Sequence, residues 1–295
     1  MTSTLPPILF FGTDSFSVSA LRHLIEAGYP IAAVITKPDS KAGRGQRLTP
    51  PAVKILAESQ NIPVWQPTNL SAVAGDIAAL QPVAGVLSSY GRIIPQSIIE
   101  LFTPGIINVH PSLLPAYRGP SPIESAILHG DEETGVSVMQ LTAEMDAGPI
   151  YAQRTYPLTH NETQPELYEK LADFGSSLLI QELPRILDGS LLPKDQVGEV
   201  SYSSLLQKSD ALVDATDWSA ADLARKVRAH LQFPKTKLSI RNNLITVVAA
   251  HASDVREDEL AVECRDNHWL IIDELVAPNG RRMSGKDFRN GYAAD

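Results

Sequence analysis

A chain of 295 residues, 43% of them hydrophobic, can bury a substantial core, and its single cysteine, Cys264, excludes a disulfide framework and a cysteine-rich zinc site. The formal net charge of −9 excludes a globally basic nucleic-acid surface: Lys+Arg against Asp+Glu runs 13 to 20 through residue 208 and 12 to 14 after it, so any contact with RNA must come from local patches. The N-terminus lacks a basic leader followed by an apolar stretch, and no run of about 18 apolar residues occurs, so a cytoplasmic protein without a membrane span is expected.

Short β-rich apolar runs alternate with helical patterns through the first half, as in parallel βαβ units. Ile8–Phe11 reads as a strand, followed by a turn at Gly12 and a helix from Ser15 to Ala27. A strand over Ile31–Thr36, a helix over Ala52–Gln60, an extended Ile62–Trp65 and a helix over Val73–Leu80 follow. Val83–Ser88 is a nearly continuous apolar strand, as expected inside a parallel sheet. Pro95–Phe102 reads as a helix and Gly105–His110 as a strand. Ser121-Pro122-Ile123-Glu124 has the spacing of a capping box and predicts a helix to about His129. Late strands over Val136–Leu141 and Ile150–Pro157 precede a long helix, Glu166–Leu187, and an irregular stretch. A helix over Ala220–Leu231 and alternating short strands complete the chain.

The expected fold is therefore α/β: a Rossmann-like, doubly wound, mostly parallel sheet over residues 1–189, a linker over 190–208, and a small mostly-β domain over 209–295. The strand–Gly–helix start does not predict a dinucleotide enzyme. In Phe11-Gly12-Thr13-Asp14-Ser15-Phe16 only one glycine stands where G-x-G-x-x-G needs three.

Candidate chemistry begins at Asn108-Val109-His110-Pro111. Alternation along a strand points Asn108 and His110 to one face, and Pro111 ends the strand there, at the carboxyl edge where α/β sheets bind ligands. A second candidate is Thr142-Ala143-Glu144-Met145-Asp146-Ala147-Gly148-Pro149, a turn-rich acidic segment between two strand patterns. Acyl transfer to an amine passes through a tetrahedral oxyanion, which an Asn amide or an imidazolium can stabilise. It also needs a proton carrier, the usual work of His, and a carboxylate beside that His favours its charged form.

Asn108-x-His110, Ser112-Leu113-Leu114-Pro115, Arg118-Gly119 and Asp146 together resemble the folate-dependent formyltransferases. That resemblance implies a Rossmann-like fold without a nucleotide at the usual loop, and 10-formyltetrahydrofolate as co-substrate with no metal. It implies that Asn108 polarises the formyl oxygen, that His110 assists as protonated donor, and that Asp146 orients His110 and manages protons. Ser112, Leu113, Leu114 and Pro115 resemble the family's folate-binding stretch, and Tyr90, Gly91 and Ile93 lie in a segment similar to the wall of its pterin pocket.

The segment Lys37–Pro50, with two glycines and two prolines, reads as a 14-residue loop that is neither helix nor strand. Lys37, Lys41, Arg44 and Arg47 face only Asp39 in it. Its pattern P-D-x-x-x-G-R-G-x-x-L resembles the loop by which the methionyl-tRNA branch of the family engages the acceptor end of charged initiator tRNA, with Arg44 in the key position. This makes methionyl-tRNA the expected partner, with no membrane and no stable protein partner implied; a nucleotide-linked amino sugar is the alternative acceptor. Asp217-Trp218-Ser219, Arg228-Ala229-His230, Phe233-Pro234 and Met283–Phe288 resemble the two ends of the family's OB-like tRNA-binding domain. Arg225, Arg228, Lys235, Lys237 and Arg241 are its candidate basic contacts, and Phe16 is a candidate for the pocket of the methionine side chain.

Overall fold

The computed structural model describes residues 7–42, 45–257 and 260–292. In chain order, β1 (Ile8–Gly12), α1 (Ser15–Glu26) and β2 (Ile31–Ile35) are followed by the short strands β3 (Ser40–Ala42) and β4 (Arg47–Thr49). Then come α2 (Ala52–Ser59), β5 (Val64–Trp65), α3 (Ala74–Leu80), β6 (Ala84–Ser88), α4 (Gln96–Ile99) and β7 (Ile106–His110). After these run α5 (Pro122–His129), β8 (Glu133–Gln140), β9 (Ile150–Pro157), α6 (Gln164–Leu187) and α7 (Ala220–Ala229). The chain ends with β10 (Lys237–Ile240), β11 (Asn243–Ser253), β12 (Leu260–Glu263), β13 (Trp269–Val276), β14 (Arg282–Ser284) and α8 (Gly285–Gly291).

Contacts divide the chain into two compact units that are not contiguous in sequence. One holds residues 1–118, 135–156 and 168–202; the other holds 119–134, 157–167 and 203–295. The first is built on a seven-stranded sheet of order β5-β2-β1-β6-β7-β8-β9. Its strands from β5 to β7 pair in parallel, and β8 joins β7 antiparallel. Every residue of β1 and β7 is buried, which explains their unbroken apolar reading. Leu9, Phe11, Ile35, Ile77, Ile98, Phe102 and Ile106 form a core cluster of this unit. The second unit carries an antiparallel sheet of order β10-β11-β13-β12 with β14 on β13. Its core packs Leu223 and Val227 of α7 and Phe288 of α8 with Ile245, Leu270 and Ile272.

Three expectations are corrected. Ser121 and Glu124 do not form a capping box: the Ser121 hydroxyl donates to the Ser204 carbonyl (2.7 Å), and the Ser121 N–H goes to the Ser203 hydroxyl. Glu124 is instead partly buried, and burial pushes its carboxyl above the usual range, although a hydrogen bond from Gln164 pulls the other way. The Lys37–Pro50 segment is not a loop throughout. β3 and β4 pair as a hairpin, Ser40 opposite Thr49 and Ala42 opposite Arg47, and the prolines stand outside the paired residues rather than forbidding them. α4 is shorter than expected, because Phe102 is buried in the core and the Thr103-Pro104-Gly105 sequence that follows cannot continue a helix.

Candidate active site

β7 presents alternate residues to opposite sides: Ile106 enters the core cluster, and Asn108 and His110 follow it on the same face. The two polar residues are only 4% and 5% exposed. Asn108 lies level with Leu87 on β6 and Met139 on β8. Among the described residues no hydrogen bond holds its carboxamide, whose polar atoms are not among the fully enclosed ones.

Both nitrogens of His110 have an assigned neighbour. Nε2 lies 3.0 Å from the Tyr117 carbonyl, which can only accept, so Nε2 carries a proton. Nδ1 lies 3.7 Å from Asp146 Oδ2, an ion-pair distance too long for a direct hydrogen bond. The ring is thus pinned by a backbone carbonyl, and Nδ1 is the nitrogen left to exchange a proton. Sequence reading did not find the Tyr117 carbonyl, because a backbone acceptor has no side-chain signature. Asp146 sits in the β8–β9 turn with φ +49°, a left-handed conformation unusual for a non-glycine residue. Two residues on, Gly148 leaves no room for a side chain: an added Cβ would stand 1.8 Å from the Gln140 carbonyl oxygen.

The other expected site residues flank this pair in different ways. Ser112 is fully buried and its hydroxyl donates to the Ala116 carbonyl (2.6 Å). Leu114 and Pro115 are buried and Leu113 is half-buried, so Leu114 and Pro115 pack the turn after β7. Tyr90 is 1% exposed, with its ring edge-on to Phe11, so its side chain belongs to the core. Gly91 (φ +66°) turns the chain there, and Ile93, 91% exposed, projects outward.

The amino end of α1 is closed by its own sequence. Asp14 caps it, accepting from the N–H groups of Phe16 and Ser17, and the Ser89 hydroxyl donates to the second carboxylate oxygen. A phosphate at this position would meet a carboxylate rather than free N–H donors. Phe16 is 2% exposed and packs edge-on against Tyr168. Burial pushes the Tyr168 hydroxyl far above its ordinary pKa, with the Asp14 charge adding to the effect.

In the β3–β4 hairpin, Lys41 and Arg47 are exposed. Arg44 lies outside the described residues. Lys37 is placed apart from the paired strands, its ammonium over Gly91. Asp39, the one acidic residue of the segment, is held by Gln66 (2.7 Å) and by the Lys54 ammonium (2.9 Å), contacts that lower its pKa. In the second unit, Arg225 pairs with Asp222 and donates to the Leu128 carbonyl. Arg228 is half-buried, Lys235 is exposed, and Lys237 lies in β10 opposite Thr246. Arg241 donates to the carbonyls of Arg289 and Tyr292 at the end of α8. These five cations therefore do not share one environment.

Two family models match the chain: formyl transferase over residues 7–183, and the formyl transferase C-terminal domain over 205–293. Methionyl-tRNA formyltransferase of Halorhodospira halophila is 38% identical over 297 residues, covering 96% of each chain. That of Myxococcus xanthus is 37% identical, covering 97% of this chain and 95% of its own. This chain belongs to the methionyl-tRNA formyltransferase family. Among solved structures, the N-formyltransferase of Helicobacter canadensis in complex with folinic acid and dTDP-3-aminofucose shares the fold, with a TM-score of 0.68 at 18% identity over 91% of this chain and 98% of that one. HypX of Aquifex aeolicus in complex with tetrahydrofolic acid shares it too (TM-score 0.67, 16% identity), this chain covering 47% of the longer protein. The region matched to the formyltransferase model contains Asn108, His110 and Asp146, and residues 184–204 fall between the two matches.

Proposed function

We propose that the chain transfers the formyl group of 10-formyltetrahydrofolate to the amino group of charged initiator methionyl-tRNA. The observation that carries this reading is the unspent amide of Asn108, buried beside a histidine with one exchangeable nitrogen and a facing carboxylate. The amine nitrogen attacks the formyl carbon, and the carbonyl oxygen becomes an oxyanion to which Asn108 donates. As the bond from carbon to the folate nitrogen breaks, one proton must leave the amine and one must reach that nitrogen. His110 Nδ1 and Asp146 stand together to carry it, and an imidazolium on that side also stabilises the oxyanion.

Folate is assigned to the surface formed by Gly91, Ile93 and the backbone at Tyr90, with the turn from Ser112 through Leu113 and Leu114 to Pro115. The acceptor stem is assigned to Arg44, Lys41, Arg47 and Lys37; of these, Lys41, Arg47 and Lys37 lie on or beside a hairpin whose neighbouring Asp39 is already compensated by Lys54. The proposed division is a catalytic domain over 1–189, a linker over 190–208 and a tRNA-binding domain over 209–295, acting in the cytoplasm where initiator tRNA is used.

The test is formylation of methionyl-tRNA with labelled donor by the parent, His110→Ala and Asp146→Ala. Each variant should lose at least about 100-fold in turnover while donor binding survives. Turnover within tenfold of the parent for either variant would falsify the assigned roles.

A further inference from the structure

Gln196 and Ser201 lie in the segment between the two family matches, where nothing in the sequence patterns suggested a part in the chemistry. We infer that they are positioning residues for the His110–Asp146 pair, so that this connector is a working part of the site. The inference rests on the transfer reading above and adds to it.

Gln196 grips the turn that bears Asp146. Its amide donates to the carbonyls of Asp146 (2.7 Å) and Gly148 (2.9 Å), one on each side of Ala147. Its own carbonyl accepts from Arg118 Nε (3.1 Å) and Nη2 (2.8 Å). Arg118 is 8% exposed, and its Nη1 reaches Glu144 at 3.6 Å, so the same guanidinium also touches the start of that turn. A left-handed aspartate does not hold its own conformation; the surroundings must impose it.

Ser201 grips the other half of the pair. Its hydroxyl accepts from the Tyr117 N–H (2.9 Å), and its backbone carbonyl accepts from the Arg118 N–H (2.9 Å). Its N–H donates to the Pro115 carbonyl (3.2 Å). Tyr117, itself left-handed at φ +55°, carries the carbonyl that pins His110 Nε2. Arg118 joins the two grips, its N–H on Ser201 and its guanidinium on Gln196. The 3.7 Å between Nδ1 and Asp146 is therefore set from both sides by backbone anchored to the connector rather than by the pair's own attraction.

The variants are Gln196→Met, neutral and of similar length but without donor or acceptor, and Ser201→Ala, with Ser201→Thr as the conservative partner. Three quantities are measured: kcat and KM for each substrate across pH, the melting temperature, and the NMR signals of the His110 ring in the ligand-free chain. Gln196→Met should lower kcat tenfold or more with donor KM within threefold, and displace the NMR signals of the His110 ring while the fold melts cooperatively. Ser201→Ala should act in the same direction and Ser201→Thr should recover most of the loss. Unmoved His110 ring signals, or kcat within twofold of the parent in both Gln196→Met and Ser201→Ala, overturns the inference. So does a loss of kcat that only follows loss of folded protein. If Gln196→Met fails to fold, Ser201→Ala and Ser201→Thr decide alone. The NMR readout needs no substrate, so a parent that fails to formylate methionyl-tRNA would overturn the acceptor assignment and leave the positioning claim standing.

Discussion

Asn108 is 4% exposed, and no hydrogen bond among the described residues engages its amide. On the proposed transfer reading that amide is a donor held ready for an oxygen that becomes charged only during reaction. Replacing it by a carboxylate should then be worse than removing it. Asn108→Asp is expected to lose at least as much turnover as Asn108→Ala, because a negative group faces the developing oxyanion. Steady-state kinetics on both variants decide this, and a clearly more active aspartate variant would show that Asn108 is no oxyanion donor. The histidine was legible in the sequence as half of an Asn-x-His pair. Its Tyr117 partner was not, since a carbonyl seven residues away is brought back only by a turn whose backbone conformation the sequence does not spell out.

Elements carry the site through turns more than through strands. Gly148→Ala places a Cβ against the backbone oxygen of Gln140, and backbone cannot swing aside as a side chain does. The β8–β9 turn must shift, with an expected loss of about 1–3 kcal/mol in urea unfolding and at least tenfold in kcat as Asp146 moves with it. Gly75→Ala on α3, where an added Cβ meets nothing within 4 Å, should leave both near the parent. The β3–β4 hairpin makes a separate prediction. Removing Arg47 or Arg44 should raise KM for tRNA and flatten its dependence on salt, without changing donor binding. Salt slopes equal to the parent's for both variants would remove these two arginines from the proposed tRNA contact.

The parallel strands and long helices were readable because burial on both faces, or on one stripe, writes a period into the sequence. The hairpin was hidden because its strands are three residues each, with Ser40, Lys41 and all of β4 exposed, so neither alternation nor an apolar run marks them. The capping box was misread because its spacing is local, whereas the hydroxyl of Ser121 is claimed by Ser204, far along the chain.

At the scale of the whole molecule, His230 makes a pH-dependence prediction for the second unit. It is 1% exposed, and neither ring nitrogen has a hydrogen-bond partner among the described residues. Burial, helped by the Lys226 charge, brings its pKa down to about 4, with Asp210 opposing. The unfolded chain takes up the proton near pH 6.5 and the folded one only near 4, so stability is full above 6.5 and falls as pH drops through that window, by up to about 3 kcal/mol. His230→Leu should flatten this part of the curve in urea titrations followed by tryptophan fluorescence; slopes equal to the parent's would contradict it. The central claim concerns the acceptor. The parent should be given labelled 10-formyltetrahydrofolate with methionyl-tRNA and a nucleotide-linked amino sugar in the same tube, and the label followed into each product. The account predicts label on the methionyl-tRNA, in amounts that fall as salt is raised, and essentially none on the sugar. Label on the sugar with none on the tRNA would contradict it.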